Sequence, residues 1–358
     1  MNLPILTITG SYDDDQPGAL EHYNQHMRHA SPEVRSQHYL IIGPWDHAGT
    51  RTPKLAFGGA RFGTASLLDL PRLHAEWYAW TMQGREKPAF LEKPVAYYIT
   101  GAERWRYAGS LQEITSHVLT YFLESNGSAS DVLCAGSLSA EVGKGTPDHY
   151  TFDPCESNGL ELEAEAHASG HSLVDQTVVS ALYDKLLVYH TAPFTQDTEI
   201  RGFFKLSVWM AINCPDTDFY FSVYELVPDG GCLRLSTDAM RARYRKGLRS
   251  SELIDTTEPL HYSFERFTFV SRQVKRGSRL RLIIGPLGRL IEGTFIQKNY
   301  NGGGVVAEET AWEGRPVTVR LFHDEAHPSA LCVPIGRPVL PDEPQAPPWY
   351  FEQTTGAS

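Results

Sequence analysis

Two residues have types and surroundings that suit proton-transfer chemistry. Asp13 closes the phrase GSYD at residues 10–13, and His47 closes the phrase GPWDH at residues 43–47. A histidine can take the proton of a hydroxyl nucleophile, while a buried carboxylate fixes the histidine tautomer and stabilises the imidazolium that forms. The pair is therefore a candidate acid and base. A plainer interpretation is also open, in which Asp13 is a helix N-cap and His47 a surface histidine.

The elements that would position this pair are typical of an α/β unit. Residues 3–9 (LPILTIT) are an apolar, β-branched run that predicts a buried strand, and residues 37–43 (QHYLIIG) predict the next one. The acidic run at 13–15, followed by Pro17, predicts a helix over residues 17–29. Strand, helix and strand in this order favour neighbouring parallel strands. Asp13 and His47 then follow the carboxyl ends of strands, where open α/β sheets place functional groups.

A second helix is predicted over residues 64–83, because apolar side chains recur there at spacings of three and four. Pro71 is expected to interrupt it, which leaves residues 73–82 as its firmer part, and Gly84 to end it. Two strands and two helices are too few to close both faces of a parallel sheet. We therefore expect this segment to pack on the rest of the chain, or more of the sheet to lie outside the chain.

Beyond about residue 93 the sequence pattern is typical of an all-β domain. Turn residues separate short strand-like runs, which predicts a sandwich or jelly roll. The predicted strands are residues 95–100, 118–123, 185–189, 200–212, 219–226, 263–269, 279–284 and 317–322. The predicted organisation is an α/β unit at 1–93, a β jelly roll at 94–340 and a Pro-rich tail at 341–358 that is extended or disordered.

Composition excludes several classes of protein. The chain has 358 residues with 41% hydrophobic and 21% charged residues, which is unlike a disordered chain. Its formal net charge of −11 disfavours nucleic acid as a partner. We find neither an apolar run long enough for a membrane helix nor a signal peptide, which predicts no membrane partner and a cytoplasmic location. Five widely spaced cysteines without a CxxC motif predict free thiols.

The two motifs are similar to those of one enzyme family. The chain resembles the cocaine esterase and X-prolyl dipeptidyl-peptidase superfamily of serine hydrolases, whose acid ends a phrase like Gly-Trp-Tyr-Asp and whose base ends one like Gly-Pro-Trp-Ser-His. Later phrases of the family follow in order over nearly the whole chain, at residues 77–84, 95–105, 187–202, 216–218, 227–230, 240–245 and 323–334. The resemblance implies the end of an α/β-hydrolase sheet followed by a β jelly-roll domain, with Asp13 and His47 as triad members.

The chain also departs from this family pattern. The family's nucleophilic serine lies on a sharp strand-to-helix turn upstream of the Asp, and only twelve residues precede Asp13. We therefore expect the nucleophile, its oxyanion hole and the first strands of the sheet to be missing. Ser172, in GHSLV, follows His47 in chain order and lacks the second glycine of a nucleophile motif. Ser11 lies on the same loop as Asp13. Neither serine is therefore a good substitute for the missing nucleophile. Ser11 also stands where the family has Trp.

Three further clusters have both a structural and a ligand-binding interpretation. His22, His26 and His29 share one helix face, which is either an exposed polar face or a metal-binding face. Asp216, Asp218 and Asp229 are expected to be structural turn residues and not calcium ligands, because their spacing lacks the regular pattern of a calcium loop. The basic run at 240–246 is expected to pair with acidic turns inside the jelly roll and not to bind phosphate.

The combined hypothesis is a serine hydrolase of the X-Pro dipeptidyl-peptidase or acyl esterase type that is inactive alone. It would act on a small ester, amide or peptide, without a metal or an organic cofactor, and with a complementing polypeptide or a second copy as possible partners. The alternatives are a subunit of a split hydrolase and a non-catalytic jelly-roll binding module. A fragment or a split enzyme predicts an apolar face where sheet neighbours belong, whereas a binding module predicts polar residues there and a pocket on the jelly roll.

Overall fold

The computed structural model describes residues 3–154, 162, 165–166, 168–177, 179, 184–286, 289–291, 295–297, 303 and 314–337. The predicted tail at 341–358 and Cys155 lie outside them.

The helices are α1 (Gln16–His29), α2 (Pro32–Arg35) and α3 (Leu70–Gln83). The strands are β1 (Ile5–Gly10), β2 (His38–Gly43), β3 (Ala56–Phe57), β4 (Ala60–Arg61), β5 (Val95–Ile99), β6 (Arg104–Ala108), β7 (His117–Glu124), β8 (Gly136–Ser139), β9 (Asp148–Phe152), β10 (Leu187–Thr191), β11 (Thr198–Gly202), β12 (Lys205–Ile212), β13 (Asp218–Leu226), β14 (Cys232–Arg241), β15 (Leu260–Phe264), β16 (Val270–Val274), β17 (Arg279–Pro286), β18 (Arg289–Ile291), β19 (Phe295–Gln297), β20 (Val317–Phe322) and β21 (Ala330–Ile335).

The first sheet has the strand order β1-β2-β5-β6. Strands β1 and β2 are parallel, with Gly10 opposite Gly43 at their carboxyl ends, which confirms the predicted parallel pair. Strand β5 is parallel to β2, and β6 returns antiparallel to β5. The predicted boundary between residues 93 and 94 therefore falls just before two strands that hydrogen-bond into this sheet. Strand pairing is a long-range choice that the apolar run at 95–100 does not reveal by itself.

Helices cover both faces of this sheet. On one face, Leu20 and Tyr23 of α1 are buried in the same cluster as Leu40 of β2. On the other face, Leu73 of α3 packs with Ile41 of β2. Successive residues of a strand point to opposite faces, so a strand covered on both sides is buried along its whole length. All six residues of β2 are indeed buried.

The helix α3 begins later than the predicted residue 64, and Pro71 does not interrupt it. Asp69 is its N-cap and accepts a hydrogen bond from the Arg72 amide, while Pro71 lies in the first turn. A proline is tolerated there because the first helical N–H groups have no intrahelical partner. Gly84 ends the helix in a left-handed conformation (φ 68°), as predicted.

Most of the later strands form one continuous β system in the order β14-β13-β17-β10-β8-β7-β21-β12-β20-β9, with β11, β15 and β16 attached to it. They enclose one large core that includes Phe204, Phe219, Phe221 and Leu282. Strands β18 and β19 pair only with each other among the described strands. The described part of the chain is therefore mostly β structure with few helices. Within the described part of the chain, no helix is both long enough and apolar enough to cross a membrane.

Two strand predictions in this β region are wrong in detail. The predicted strand at 200–212 is divided into β11 and β12 after Gly202, whose backbone has φ 124°. The predicted strand at 263–269 is the end of β15 and a non-strand segment before β16. An apolar run cannot distinguish a strand from a buried connection when both face the core.

The first sheet and the β region are joined by backbone hydrogen bonds. Thr100, at the end of β5, donates its amide to Ser271 O (3.1 Å) and accepts from the Gln273 amide (2.8 Å). Arg201 of β11 donates to the Tyr97 hydroxyl (2.8 Å), and both side chains are buried. The two regions therefore share a buried polar contact as well as apolar packing.

Candidate functional site

The loops that follow β1 and β2 are hydrogen-bonded to each other at the carboxyl edge of the first sheet. The Ser11 amide donates to Gly43 O (2.8 Å), and the Tyr12 amide donates to Trp45 O (3.0 Å). These bonds continue the parallel β1–β2 pairing by two residues beyond the strand ends. They bring the GSYD and GPWDH phrases into contact.

Glycines make this close approach possible. A Cβ on Gly10 would lie 2.0 Å from the Trp45 carbonyl oxygen, and one on Gly43 would lie 2.3 Å from the Trp45 ring. Trp45 is buried, and its indole N–H donates to Ser66 O (2.9 Å). Trp45 is thus a packing residue that shapes the loop carrying His47.

Asp13 and His47 are in direct contact. His47 Nδ1 lies 3.1 Å from Asp13 Oδ1. The second carboxylate oxygen of Asp13 accepts from the Thr9 hydroxyl (3.1 Å), and Oδ1 also accepts from the Asp15 amide (3.0 Å). Only 6% of Asp13 is exposed, so this carboxylate is buried but fully hydrogen-bonded. It is not the N-cap of α1, which is Asp15.

The other face of His47 is open. Its side chain is 43% exposed, and Nε2 lies 3.2 Å from Arg51 Nη2. A guanidinium group can only donate, so Nε2 accepts and the ring proton is assigned to Nδ1, toward Asp13. In this tautomer Nε2 carries the lone pair that a general base uses, and Arg51 is its hydrogen-bond donor here.

Three residues of this site were not singled out by their sequence patterns: Thr9, Asp15 and Arg51. Asp15 Oδ2 lies 3.4 Å from His47 Nδ1 and gives the imidazole a second, more exposed carboxylate. Arg51 lies four residues after His47, a spacing that brings side chains together on a helical turn. The turn at residues 48–50 is a short 3-10 helix, and that spacing was the available signal.

Asp13, Asp15 and His47 also have donor atoms within 4.8 Å of one another, which is close enough for a shared metal ion. Two carboxylates and one imidazole are a donor set that zinc accepts. Metal binding here would require His47 Nδ1 to lose the proton that it shares with Asp13. In the residues searched, no other group of three such donors comes together.

The predicted histidine face of α1 is only partly exposed. His22 and His29 are exposed, whereas His26 Nδ1 lies 2.9 Å from Nδ1 of His38 on β2. His38 is completely buried and also contacts the Thr7 hydroxyl (2.8 Å). Burial, followed by the charges of His26 and His22, lowers the pKa of His38 to about 4. His38 is therefore held neutral.

The acidic and basic runs of the β region pair with each other, as expected. Asp216 Oδ2 accepts from Nε of Arg241 (2.5 Å) and of Arg243 (2.6 Å), and Asp218 accepts from Arg241 (3.0 Å). Asp229 lies in a turn, where it accepts from the Gly231 amide (3.4 Å). These groups have structural roles in the ion pairs and the turn.

Neither alternative serine has the geometry of a nucleophile. Ser172 lies in a turn whose next residue donates its amide to Gly58 O (3.0 Å). Of the described residues between 162 and 171, none lies in a strand such as the one that a nucleophile turn follows. Ser11 uses its amide in the β1–β2 edge. The described cysteines, Cys134, Cys214, Cys232 and Cys332, are free thiols, as predicted, and burial raises the pKa of Cys214 to about 11.

A separate groove of about 720 Å³ on the β region is lined by β8, by the end of β10 and by the segment that follows β10. Its lining includes Tyr121, Ser137, His190, Phe194 and Arg279. Arg281 donates to His190 Nε2 (2.8 Å), and burial together with the arginine charges lowers the pKa of His190 to about 4. The groove therefore combines a neutral imidazole, a cation and aromatic rings.

Comparison with known proteins identifies a family that this sequence matches. Residues 90–285 match the X-Pro dipeptidyl-peptidase C-terminal non-catalytic domain. Asp13 and His47 lie outside this range. The chain is 24% identical over 302 residues to cocaine esterase from Rhodococcus sp. (strain MB1 Bresler), a match that covers 83% of this chain and 51% of that protein. The chain thus spans about half the length of the curated relatives it matches.

Solved structures show the same fold. An aminopeptidase from a marine sediment Thaumarchaeota archaeon superimposes with a TM-score of 0.74 at 19% identity, covering 93% of this chain and 55% of that one. An α-amino acid ester hydrolase gives a TM-score of 0.75 at 18% identity, with the same coverage of both chains. The family match extends over more than half of this sequence. The chain therefore belongs to the family of the X-Pro dipeptidyl-peptidase C-terminal non-catalytic domain.

Proposed function

We propose that this chain supplies the acid and the base of a serine hydrolase that cleaves small esters, amides or X-Pro peptides. The observation that carries the proposal is the arrangement around His47. A buried carboxylate holds Nδ1, and the Nε2 lone pair faces a half-open surface. A buried, hydrogen-bonded aspartate behind a half-open imidazole is the arrangement that a general base of this type requires.

In this mechanism, His47 Nε2 takes the proton of a serine hydroxyl as its oxygen attacks the substrate carbonyl. His47 then donates that proton to the leaving group as the carbonyl–leaving-group bond breaks. A water molecule, activated in the same way, releases the acyl group from the serine. Asp13 stabilises the imidazolium throughout and does not itself become protonated. Arg51 must move away from Nε2 for the serine to approach.

The serine is assigned to a polypeptide segment outside these 358 residues. The free edge of the first sheet supports this assignment. Among the described strands, β1 pairs only with β2, so its other edge has no partner there. Ile5, Leu6 and Ile8 on β1 are only partly buried, and Leu3 is 59% exposed. Apolar side chains on an open strand edge are what an additional sheet strand would cover.

We also propose that residues 1–93, together with β5 and β6, are the end of an α/β-hydrolase domain, and that the strands of the β region form a β jelly roll. Support comes from the parallel β1-β2-β5 strands with helices on both faces. The groove beside His190 favours a second candidate, a non-catalytic binding module built on the β region.

The test starts with the DNA upstream of the Met1 codon and in adjacent genes. A segment there that encodes a Gly-x-Ser-x-Gly turn after a strand is joined to this chain or co-expressed with it. Hydrolysis of a p-nitrophenyl ester and of an X-Pro anilide is then measured. We expect turnover that is lost in His47→Ala and kept in His74→Ala, which removes an exposed histidine from α3.

Two results would contradict the proposal. One is the absence of any such coding segment, and the other is a folded complex without ester or amide turnover. Either result would favour the binding module, whose ligand would then be sought at the groove of the β region.

A further inference from the structure

Gln16, the first residue of α1, is a buried amide that connects the two regions. It has no exposed surface. Its Nε2 donates to Gly10 O (2.9 Å), and its Oε1 accepts from the Phe269 amide (2.6 Å). An amide that is buried without such partners would be costly, so both bonds constrain where the side chain lies.

The Gly10 end of this link belongs to the turn that carries Asp13. The Asp13 amide also donates to Gly10 O (3.3 Å), and the Gln16 amide donates to Asp13 O (3.0 Å). The turn has little freedom on its other side, where Gly10 packs against the Trp45 backbone. A displacement of Gln16 would therefore be passed to the Asp13 carboxylate.

The Phe269 end belongs to the β region, immediately before β16. Phe269 is completely buried and packs edge-to-face with Phe203 (5.6 Å between ring centroids) and Tyr97 (6.2 Å). Such packing fixes its backbone N–H. The link thus connects a rigid part of the β region to the turn of Asp13.

We propose that Gln16 is a positioning residue through which the β region orients Asp13 and, through Asp13, selects the tautomer of His47. The inference rests on the proposed acid–base role of this pair. A hydrogen bond weakens steeply as its geometry departs from linear, so a small shift of the Asp13 turn changes the Nδ1–H bond. A contact that served only stability would leave the imidazole tautomer unchanged.

The experiment measures the ¹⁵N chemical shifts of both His47 ring nitrogens in the full chain at a pH where the ring is neutral. The variants are Gln16→Met, which keeps the size and removes both hydrogen bonds, and Gln16→Glu, which is isosteric. Asp13→Asn is the reference for a broken pair. Ser236→Ala is the matched control, because it removes a partly buried hydrogen bond to Thr268 O, next to Phe269.

We expect the Nε2–H tautomer to rise at least about threefold in both Gln16 variants and further in Asp13→Asn, and to stay unchanged in Ser236→Ala. An unchanged tautomer in the Gln16 variants, with a change in Asp13→Asn, would overturn this inference alone. No change in Asp13→Asn would instead overturn the acid–base pair of the proposed function. Failure of both Gln16 variants to fold would make the amide a structural link only and would also overturn the inference.

Discussion

One aspartate–histidine pair in each region has a contact of nearly the same length. His47 Nδ1 is 3.1 Å from Asp13 in the first region, and His323 Nε2 is 3.0 Å from Asp148 in the β region. The difference is in their surroundings. His47 is half-open, whereas His323 and Asp148 have fully buried side chains.

The buried pair belongs to a closed network. Asp148 also accepts hydrogen bonds from the Ser125 hydroxyl (2.5 Å), the Tyr189 hydroxyl (2.6 Å) and the Ala129 amide (3.0 Å). Desolvation raises the pKa of Asp148, but the bonds from His323, Ser125 and Tyr189 together outweigh it, and the pKa is lowered.

Ser125, Asp148 and His323 have the residue types of a catalytic triad, but their hydrogen bonds join the wrong pairs. Ser125 bonds to the aspartate, whereas the mechanism needs the serine at the histidine. Residue types alone therefore do not define a site, because the free face of the imidazole decides whether the pair can act on a substrate.

The largest expected effect is on catalysis at the open pair. In the serine-containing enzyme, Asp13→Asn should lower kcat by about 10⁴-fold, because the imidazole loses the acceptor that holds its tautomer. The measurement is ester turnover per folded molecule. A decrease of less than about tenfold would place Asp13 outside the catalytic machinery.

The same substitution at the closed pair should act on stability. Asp148→Asn should lower the free energy of unfolding by about 3–5 kcal/mol, since it leaves buried donors without their charged acceptor. Asp13→Asn should cost only about 1 kcal/mol. Urea unfolding of both variants measures the difference, and equal losses would remove the contrast between the pairs.

Acid should act on a buried histidine in each region, His38 and His190, before it acts on the Asp148 pair, because burial lowers the pKa of both histidines to about 4. The pKa of His38, about 4, lies below the ordinary histidine value near 6.5, so the unfolded chain binds this proton at higher pH. His38 therefore destabilises the fold progressively as the pH falls from 6.5 to 4, by about 1–3 kcal/mol. The carboxyl pKa of Asp148 is lowered from 3.8, so its contribution is lost only below that pH.

This prediction is checked by unfolding His38→Gln between pH 7 and pH 4, where we expect a weaker loss of stability with acid than in the unsubstituted chain. His74→Gln, at an exposed position, is the control and should keep the original pH dependence. Identical slopes in all three proteins would show that His38 is not the acid-sensitive group.

The smallest effect concerns Arg51, which covers the open nitrogen. Arg51→Ala should change the free energy of unfolding by less than about 0.5 kcal/mol, because the residue is exposed. It should nevertheless expose Nε2 and increase the rate at which diethyl pyrocarbonate modifies His47. Peptide mapping by mass spectrometry measures that rate. A slower reaction would contradict the assignment of Arg51 as a cover.

The sequence was sufficient to predict much of the local structure. Apolar runs ended by glycine predicted β1 and β2, and the acidic run before Pro17 predicted the start of α1. Asp13 and His47 could be singled out because they follow those strands. Thr9 and Asp15 could not, since a polar residue near a motif has no signature until its side chain is seen to contact the site. For Arg51 the spacing of four residues from His47 was a signal, but a weak one.

By itself, the sequence determined which short segments become strands or helices and which two loops carry chemical groups, because periodicity, glycines and prolines act over a few residues. Only the tertiary structure decided that β5 joins the first sheet and that Asp148 and His323 form a closed network. It also decided that Gln16 bonds to Phe269, a residue 253 positions away. These choices depend on which distant surfaces pack together, and a local pattern cannot encode the packing energy of partners so far along the chain.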